Sequence, residues 1–135
     1  ARDIVEDARV GRVYLPSEWL LAEGLSSADL ADPRHRPALA RLAHRLSDMA
    51  DAYRRSARIG AARLPFRSRW AVLSASGIYG EIATRAAALG PRAWDERIST
   101  SKAEKAALVM EAFWEALWPV RPVPRTGLWT RPSRP

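Results

Sequence analysis

Three carboxylates crowd the first seven residues of ARDIVEDARVGRVYLP: Asp3, Glu6 and Asp7. On a helix Asp3 and Asp7 lie one turn apart with Glu6 beside them, so the three project from neighbouring positions. Close negative charges repel, and the arrangement becomes favourable when a divalent cation sits between them. Mg²⁺ suits such a place, with Mn²⁺ as a substitute, because it takes oxygen ligands, keeps waters and commonly joins one or two carboxylates to phosphate groups. A solvated helix face is the competing reading, with Arg2, Arg9 and Arg12 balancing the charge and Arg2 pairing with Glu6 at i,i+4. D-x-x-x-D occurs freely on helical surfaces, so spacing alone leaves both readings open.

Elsewhere the chemistry-bearing residues are sparse. His35 and His44 are nine residues apart, too far for an i,i+4 metal pair, and neither has an evident carboxylate to orient it, so both read as surface histidines. Ser47 and Asp48 beside His44 do not make a triad by adjacency, because triads are assembled in space. The absence of cysteine excludes disulfides, thiolate zinc sites, iron–sulfur clusters and a cysteine nucleophile.

A chain of 135 residues with 47% apolar content is expected to form one domain with a moderate core. Its net charge of +7 comes almost wholly from arginine and implies attraction to phosphates, anionic lipid or nucleic acid. No uncharged run approaches the ~18 apolar residues that crossing a bilayer requires. The expected setting is therefore soluble or peripheral.

The elements that must position these residues read as helices. Helical spacing begins at Ala1 without a capping signal and runs to about Ala8, which reads as the end of a helix begun upstream. Val10, Gly11, Val13 and Pro16 favour an extended connection. Pro16 suits the first turn of a helix over Ser17 to Glu23, which Gly24 stops. Ser26 or Ser27 caps a short turn before Asp32-Pro33. In the long helix that follows, Leu39, Leu42, Leu46, Met49, Tyr53 and Ala57 fall at steps of three and four and predict one buried stripe, with arginines opposite. Gly60 and Leu64-Pro65 close it. A second long helix is expected over Phe66 to Leu89, with Val72, Leu73, Ile78, Tyr79 and Ile82 as its apolar positions, ended by Gly90-Pro91. Ser101 and Glu104 form a capping box for a helix over Lys102 to Trp118, offering Leu108, Phe113, Leu117 and Trp118 for packing. Residues 119–135 hold five prolines, four arginines and no acidic residue, and read as a disordered basic tail. With no alternating strand pattern, the class is all-α.

The longer string RDIVEDARVGRVYLP, Arg2 to Pro16, closely resembles the second aspartate-rich motif of the squalene/phytoene synthase family of head-to-head prenyl synthases, above all its bacterial phytoene synthases. The resemblance continues through RSRWAVLSASGIYGEI, Arg67 to Ile82, and AWDERIST, Ala93 to Thr100, and covers the chain to about Trp118. It implies a helical bundle of isoprenoid-synthase type around an apolar pocket, with two aspartate-rich motifs facing each other across the mouth and holding Mg²⁺ ions that bind prenyl diphosphates. It also implies the reaction: two geranylgeranyl diphosphates condense head to head through prephytoene diphosphate to phytoene.

Carried over by position, the resemblance makes Asp3 and Asp7 metal-binding and catalytic, and places Arg2, Tyr79 and Arg97 against substrate. Glu6 lies within the motif with a less defined role. Without the resemblance, Tyr79 reads as a core tyrosine and Arg97 as an undistinguished loop arginine. Tyr14 stands near the motif and fits either the reaction region or packing. The opposing aspartate-rich motif is absent, since Asp48 and Asp51 have the wrong place and spacing. The chain is therefore expected to be a carboxy-terminal fragment, inactive alone, cytoplasmic and peripheral to the inner membrane face. A squalene or hopanoid-precursor synthase acting on farnesyl diphosphate is the neighbouring alternative. A basic helical module binding nucleic acid or membrane is the alternative of another class, resting on the ten arginines between Arg34 and Arg69. It leaves the aspartates unexplained, so no nucleic-acid partner is expected.

Overall fold

The computed structural model describes residues 2–118, 124, 127 and 128. The basic tail expected over 119–135, Trp129 included, lies outside the described residues except for those last three. Every regular element among the described residues is helical: α1 (Ile4–Arg9), α2 (Ser17–Ala22), α3 (Arg36–Ala61), α4 (Phe66–Leu89) and α5 (Lys102–Leu117), with 3₁₀ turns at Ser27–Ala31, Pro33–His35 and Gly90–Trp94. The all-α expectation holds, and the two long helices keep almost the boundaries that their glycine and proline punctuation predicts.

Helix ends follow local chemistry. After α1 the Gly11 N–H donates to the Ala8 carbonyl at 3.0 Å and the Arg12 N–H to the Asp7 carbonyl at 2.8 Å. That is a Schellman ending, and Gly11 supplies its left-handed residue at φ 75°. Helix α2 ends the same way around Gly24, with Leu25 bonded back to Leu20 at 2.8 Å and both leucines buried. At the start of α5 the Ser101 hydroxyl accepts from the Glu104 N–H and the Glu104 carboxylate accepts from the Ser101 N–H. The capping box read from the sequence is present.

The chain divides into two compact units, the described residues of Ala1–Asp48 with Glu81–Thr100, and those of Met49–Gly80 with Ser101–Pro135. In the first, Val5, Leu15, Trp19, Leu20, Leu25, Leu30, Leu39 and Leu42 form one apolar cluster. Ala86, Ala93 and Ile98 form another, and Trp94 packs against both. The Arg45 guanidinium lies 3.9 Å above the Trp19 ring, so a cation closes the edge of this core by stacking.

In the second unit the expected stripe comes to the surface. Leu39 and Leu42 are buried in the first unit, but Met49 and Tyr53 are 43% and 44% exposed and Ala57 is exposed too. The inward side of this half of α3 is polar. Arg54 hydrogen-bonds Ser76 and Asp51, and its guanidinium occupies the space a Cβ would need at Gly80. Ser56 is buried, and Arg58 pairs with Glu115 at 2.6 Å. Arginine stems pack on the neighbouring helices while their heads are neutralised, which reverses the expectation that arginines fill the outer side.

Helices α4 and α5 meet through Leu73 and Trp70 against Ala112 and Ala116. Small residues let the backbones approach, and the Trp70 indole N–H donates to the Val109 carbonyl at 2.9 Å. Phe113 joins edge-on to Phe66 and Trp70. Of the other positions read as apolar contacts, Val72, Leu117 and Trp118 are exposed, because the alanine face of α5 is the one turned inward.

Leu39→Ala is expected to lower the unfolding free energy of the chain by about 2–5 kcal/mol, as removal of a fully buried leucine does. Met49→Ala, on the same stripe, is expected to cost less than about 1 kcal/mol. Urea unfolding compares them, and equal losses would contradict the break in the stripe.

Candidate functional site

Asp3 stands at the amino end of α1, and its carbonyl accepts the first helical bond, from the Asp7 N–H at 2.8 Å. The two carboxylate residues are thus one turn apart, and both line a cleft of about 230 Å³ with Ile4, Arg12, Tyr14, Leu15, Leu30 and Leu46 among its walls. The Gly11 turn makes this cleft, since it brings Arg12 and Tyr14 back alongside the helix. A second cleft of about 220 Å³ lies beside it, lined by Arg2, Asp3, Glu6 and Arg9 from the α1 region and by Trp94 to Arg97.

Asp3 borders both clefts, whereas Asp7 and Glu6 part company. Helical residues turn by about 100° each, so Glu6 and Asp7 diverge on either side of Asp3. The carboxylates therefore do not converge as a trio, and among the described residues no group of three or more His, Cys, Asp or Glu is placed to hold a metal ion. Asp3 and Asp7 remain as a pair, with hard oxygen donors on one cleft edge.

Arg2 is the cation that holds Asp3. Its Nε donates to Oδ1 at 2.8 Å and its Nη2 to Oδ2 at 3.2 Å, while Nη1 reaches the Ile98 carbonyl at 3.4 Å. The expected Arg2–Glu6 pairing is replaced by this forked one, whose planar geometry matches a carboxylate. The hydrogen bond from Arg2 lowers the Asp3 carboxyl below its usual range, against the opposing effect of burial and with help from the charges of Arg2 and Arg97. Asp3 is thus held ionised between two cations.

Arg97 reaches the site because its loop is anchored. Ala93 and Ile98 are buried with Ala86, which holds the intervening residues against α1. Arg2, Asp3 and Arg97 therefore line one cleft. Tyr79 belongs to the second unit, is 72% exposed and lines neither cleft. Its expected packing on the apolar stripe of α4 is also not observed. Arg12, Leu30 and Leu46 are cleft residues that sequence reading did not select. Of these only Arg12 carried a signal, through its place after Gly11. Both histidines find carboxylates after all, His44 Nδ1 with Asp48 at 3.1 Å and His35 with Asp29 at 3.7 Å, yet His44 is an exposed helix-face pair.

A family model described as squalene/phytoene synthase matches residues 1–104. The chain belongs to the squalene/phytoene synthase family. Among curated relatives, it is 47% identical to a 15-cis-phytoene synthase of Enterobacter agglomerans, over 98% of this chain and 46% of that protein. It is 44% identical to the 15-cis-phytoene synthase of Pantoea ananas, over 98% of this chain and 44% of the relative. The same identity and share of this chain relate it to the 15-cis-phytoene synthase of a Paracoccus strain, of which it covers 43%. The chain spans somewhat less than half the length of these relatives. No solved structure matches it.

Replacing Arg2 by Gln removes the forked donor, and the Asp3 carboxyl is expected to titrate closer to the ordinary aspartate value of about 3.9. A lowered folded-state value means that the stability linked to Asp3 is present above the unfolded value and is lost as pH falls through the folded one. In Arg2→Gln the stability linked to Asp3 should be smaller and its loss complete at a higher pH, because the folded value moves toward the unfolded one. Carboxyl NMR titration reads it, and an unchanged Asp3 curve would show that Arg2 does not hold this carboxylate.

Proposed function

We propose that this chain supplies one diphosphate-handling side of a phytoene synthase, which condenses two geranylgeranyl diphosphates head to head to phytoene through prephytoene diphosphate. The observation that carries the reading is an ionised Asp3 one turn from Asp7 and flanked by Arg2 and Arg97, in a chain 44–47% identical to bacterial phytoene synthases. Such a constellation suits chemistry in which a diphosphate leaves with its electron pair and an allylic cation remains. That step needs neutralisation of growing negative charge, not a general base.

The donor set fits Mg²⁺: two carboxylates offer hard oxygens and leave room for waters and phosphate oxygens, which a closed nitrogen and sulfur cage would not. Asp3 and Asp7 would hold the ion, and its chemistry there would be to neutralise the departing diphosphate. The chain's own residues do the rest. Arg2 keeps Asp3 ionised and oriented. Arg97 adds positive charge at the cleft it shares with Asp3, and Leu15, Leu30 and Leu46 give the first cleft an apolar wall suited to a prenyl chain. Tyr79 is kept as a substrate-contacting residue on the resemblance of its motif.

The basic-module reading loses support, because half of the ten arginines of this stretch are ion-paired within their own unit. Arg34, Arg36, Arg41, Arg54 and Arg58 are ion-paired, and Arg45 is stacked on Trp19. A cytoplasmic protein in peripheral contact with the inner membrane face is part of the same proposal. No helix of the described residues is long and apolar enough to cross a membrane. Arg63, Arg67, Trp114 and Trp118, all exposed and all of the second unit, support the contact.

In the intact protein, Asp3→Ala or Asp7→Ala is expected to lower Mg²⁺-dependent conversion of labelled geranylgeranyl diphosphate to phytoene at least about 100-fold. Normal turnover in both variants would remove these aspartates from the reaction. Conversion of farnesyl diphosphate in preference would instead assign a squalene-type synthase. The 135 residues alone are expected to show no turnover.

A further inference from the structure

The first unit pairs half of its ten arginines with carboxylates, and most of those left unpaired cluster. Arg2, Arg34, Arg36, Arg41 and Arg85 are paired with Asp3, Asp32, Asp95, Glu23 and Glu81, and Arg45 is spent on Trp19. Among the described residues of this unit, no ion pair holds Arg9, Arg12, Arg92 or Arg97. Three of those four line the clefts that flank Asp3, Arg12 in one and Arg9 with Arg97 in the other. Unneutralised guanidinium groups repel each other and are tolerated together where an anion is to be received.

Arg9 is the residue this observation adds. It lies one turn beyond Val5 and Glu6, so it extends the side of α1 that faces the loop carrying Arg97. The second cleft draws on Arg2, Arg9 and Arg97 from two separate stretches of chain. Its carboxylates are Asp3, Glu6, Asp95 and Glu96. Asp3 and Asp95 are already taken by Arg2 and Arg36, and Glu6 and Glu96 stay exposed without binding either free arginine. Two planar donors left open at one cleft match a group with many terminal oxygens, which a diphosphate is and a carboxylate is not.

We infer that Arg9 is a further diphosphate-binding residue of the synthase, acting with Arg97 across the second cleft. This rests on the reading given under Proposed function. An exposed arginine on a short helix can be exchanged with little effect on folding, so binding itself can be measured.

The test uses the intact protein and inorganic diphosphate as probe, read by calorimetry without substrate and by inhibition of phytoene formation. Arg9→Gln is expected to weaken diphosphate binding roughly 3- to 10-fold and to raise KM for geranylgeranyl diphosphate more than it lowers kcat, with partial recovery in Arg9→Lys. Arg92→Gln, which removes an unpaired arginine that lines neither cleft, is expected to bind as the parent does. Loss in Arg97→Gln with none in Arg9→Gln would overturn the role of Arg9 and leave the proposed function standing. No loss in either would overturn both. Equal loss in Arg9→Gln and Arg92→Gln would reduce the effect to net charge and overturn the inference as well.

Discussion

Arg2 holds the carboxylate of Asp3, at the start of the six-residue helix α1, with two donors while a third nitrogen reaches the Ile98 carbonyl. One side chain thereby sets the charge of the central carboxylate and ties α1 to the loop that bears Arg97. Neither cleft could keep its present lining without that tie, because both share Asp3 as a wall. The Gly11 turn is the matching constraint on the other flank. A residue with a Cβ would resist its φ of 75°, and without the turn Arg12 and Tyr14 would not return beside Asp7.

These two constraints explain how a short helix can serve two clefts. Asp7 and Glu6 differ by about a quarter turn around the axis, so a helix that places Asp7 in one cleft must place Glu6 in the other. Among the described residues the three carboxylates of the α1 region do not form one metal-holding group. A pair of carboxylates on one side and a set of arginines on the other is what remains. That division suits a reaction whose substrate carries both an apolar chain and a strongly anionic leaving group.

The second unit shows a different balance. Its core is made of alanines, Leu73 and an aromatic cluster, and its long helix contributes buried arginine stems with paired heads. Periodicity misread this region because apolar spacing on α3 continues past residue 48 while the side that packs does not. A polar residue with a partner can face inward, and hydropathy does not see the partner.

Much of the fold was legible in local chemistry. The bounds of α4 and α5, the close of α3, the stop at Gly24 and the capping box at Ser101 each depend on a few adjacent residues, whose backbone preferences act before any distant contact is made, whereas the tight turn at Gly11 read as an extended connection. The identity of the chemistry was legible too, but only through the whole string from Arg2 to Pro16; the bare D-x-x-x-D favoured a solvated face over a metal pair. What folding alone decided was partnership. Arg2 chose Asp3 over Glu6, Arg97 came to the site through the burial of Ala93 and Ile98, Leu30 and Leu46 became cleft walls, and Tyr79 stayed on the surface of the other unit. Each of these outcomes turns on which distant residue fills the space beside a side chain, and neighbours along the chain carry no information about that.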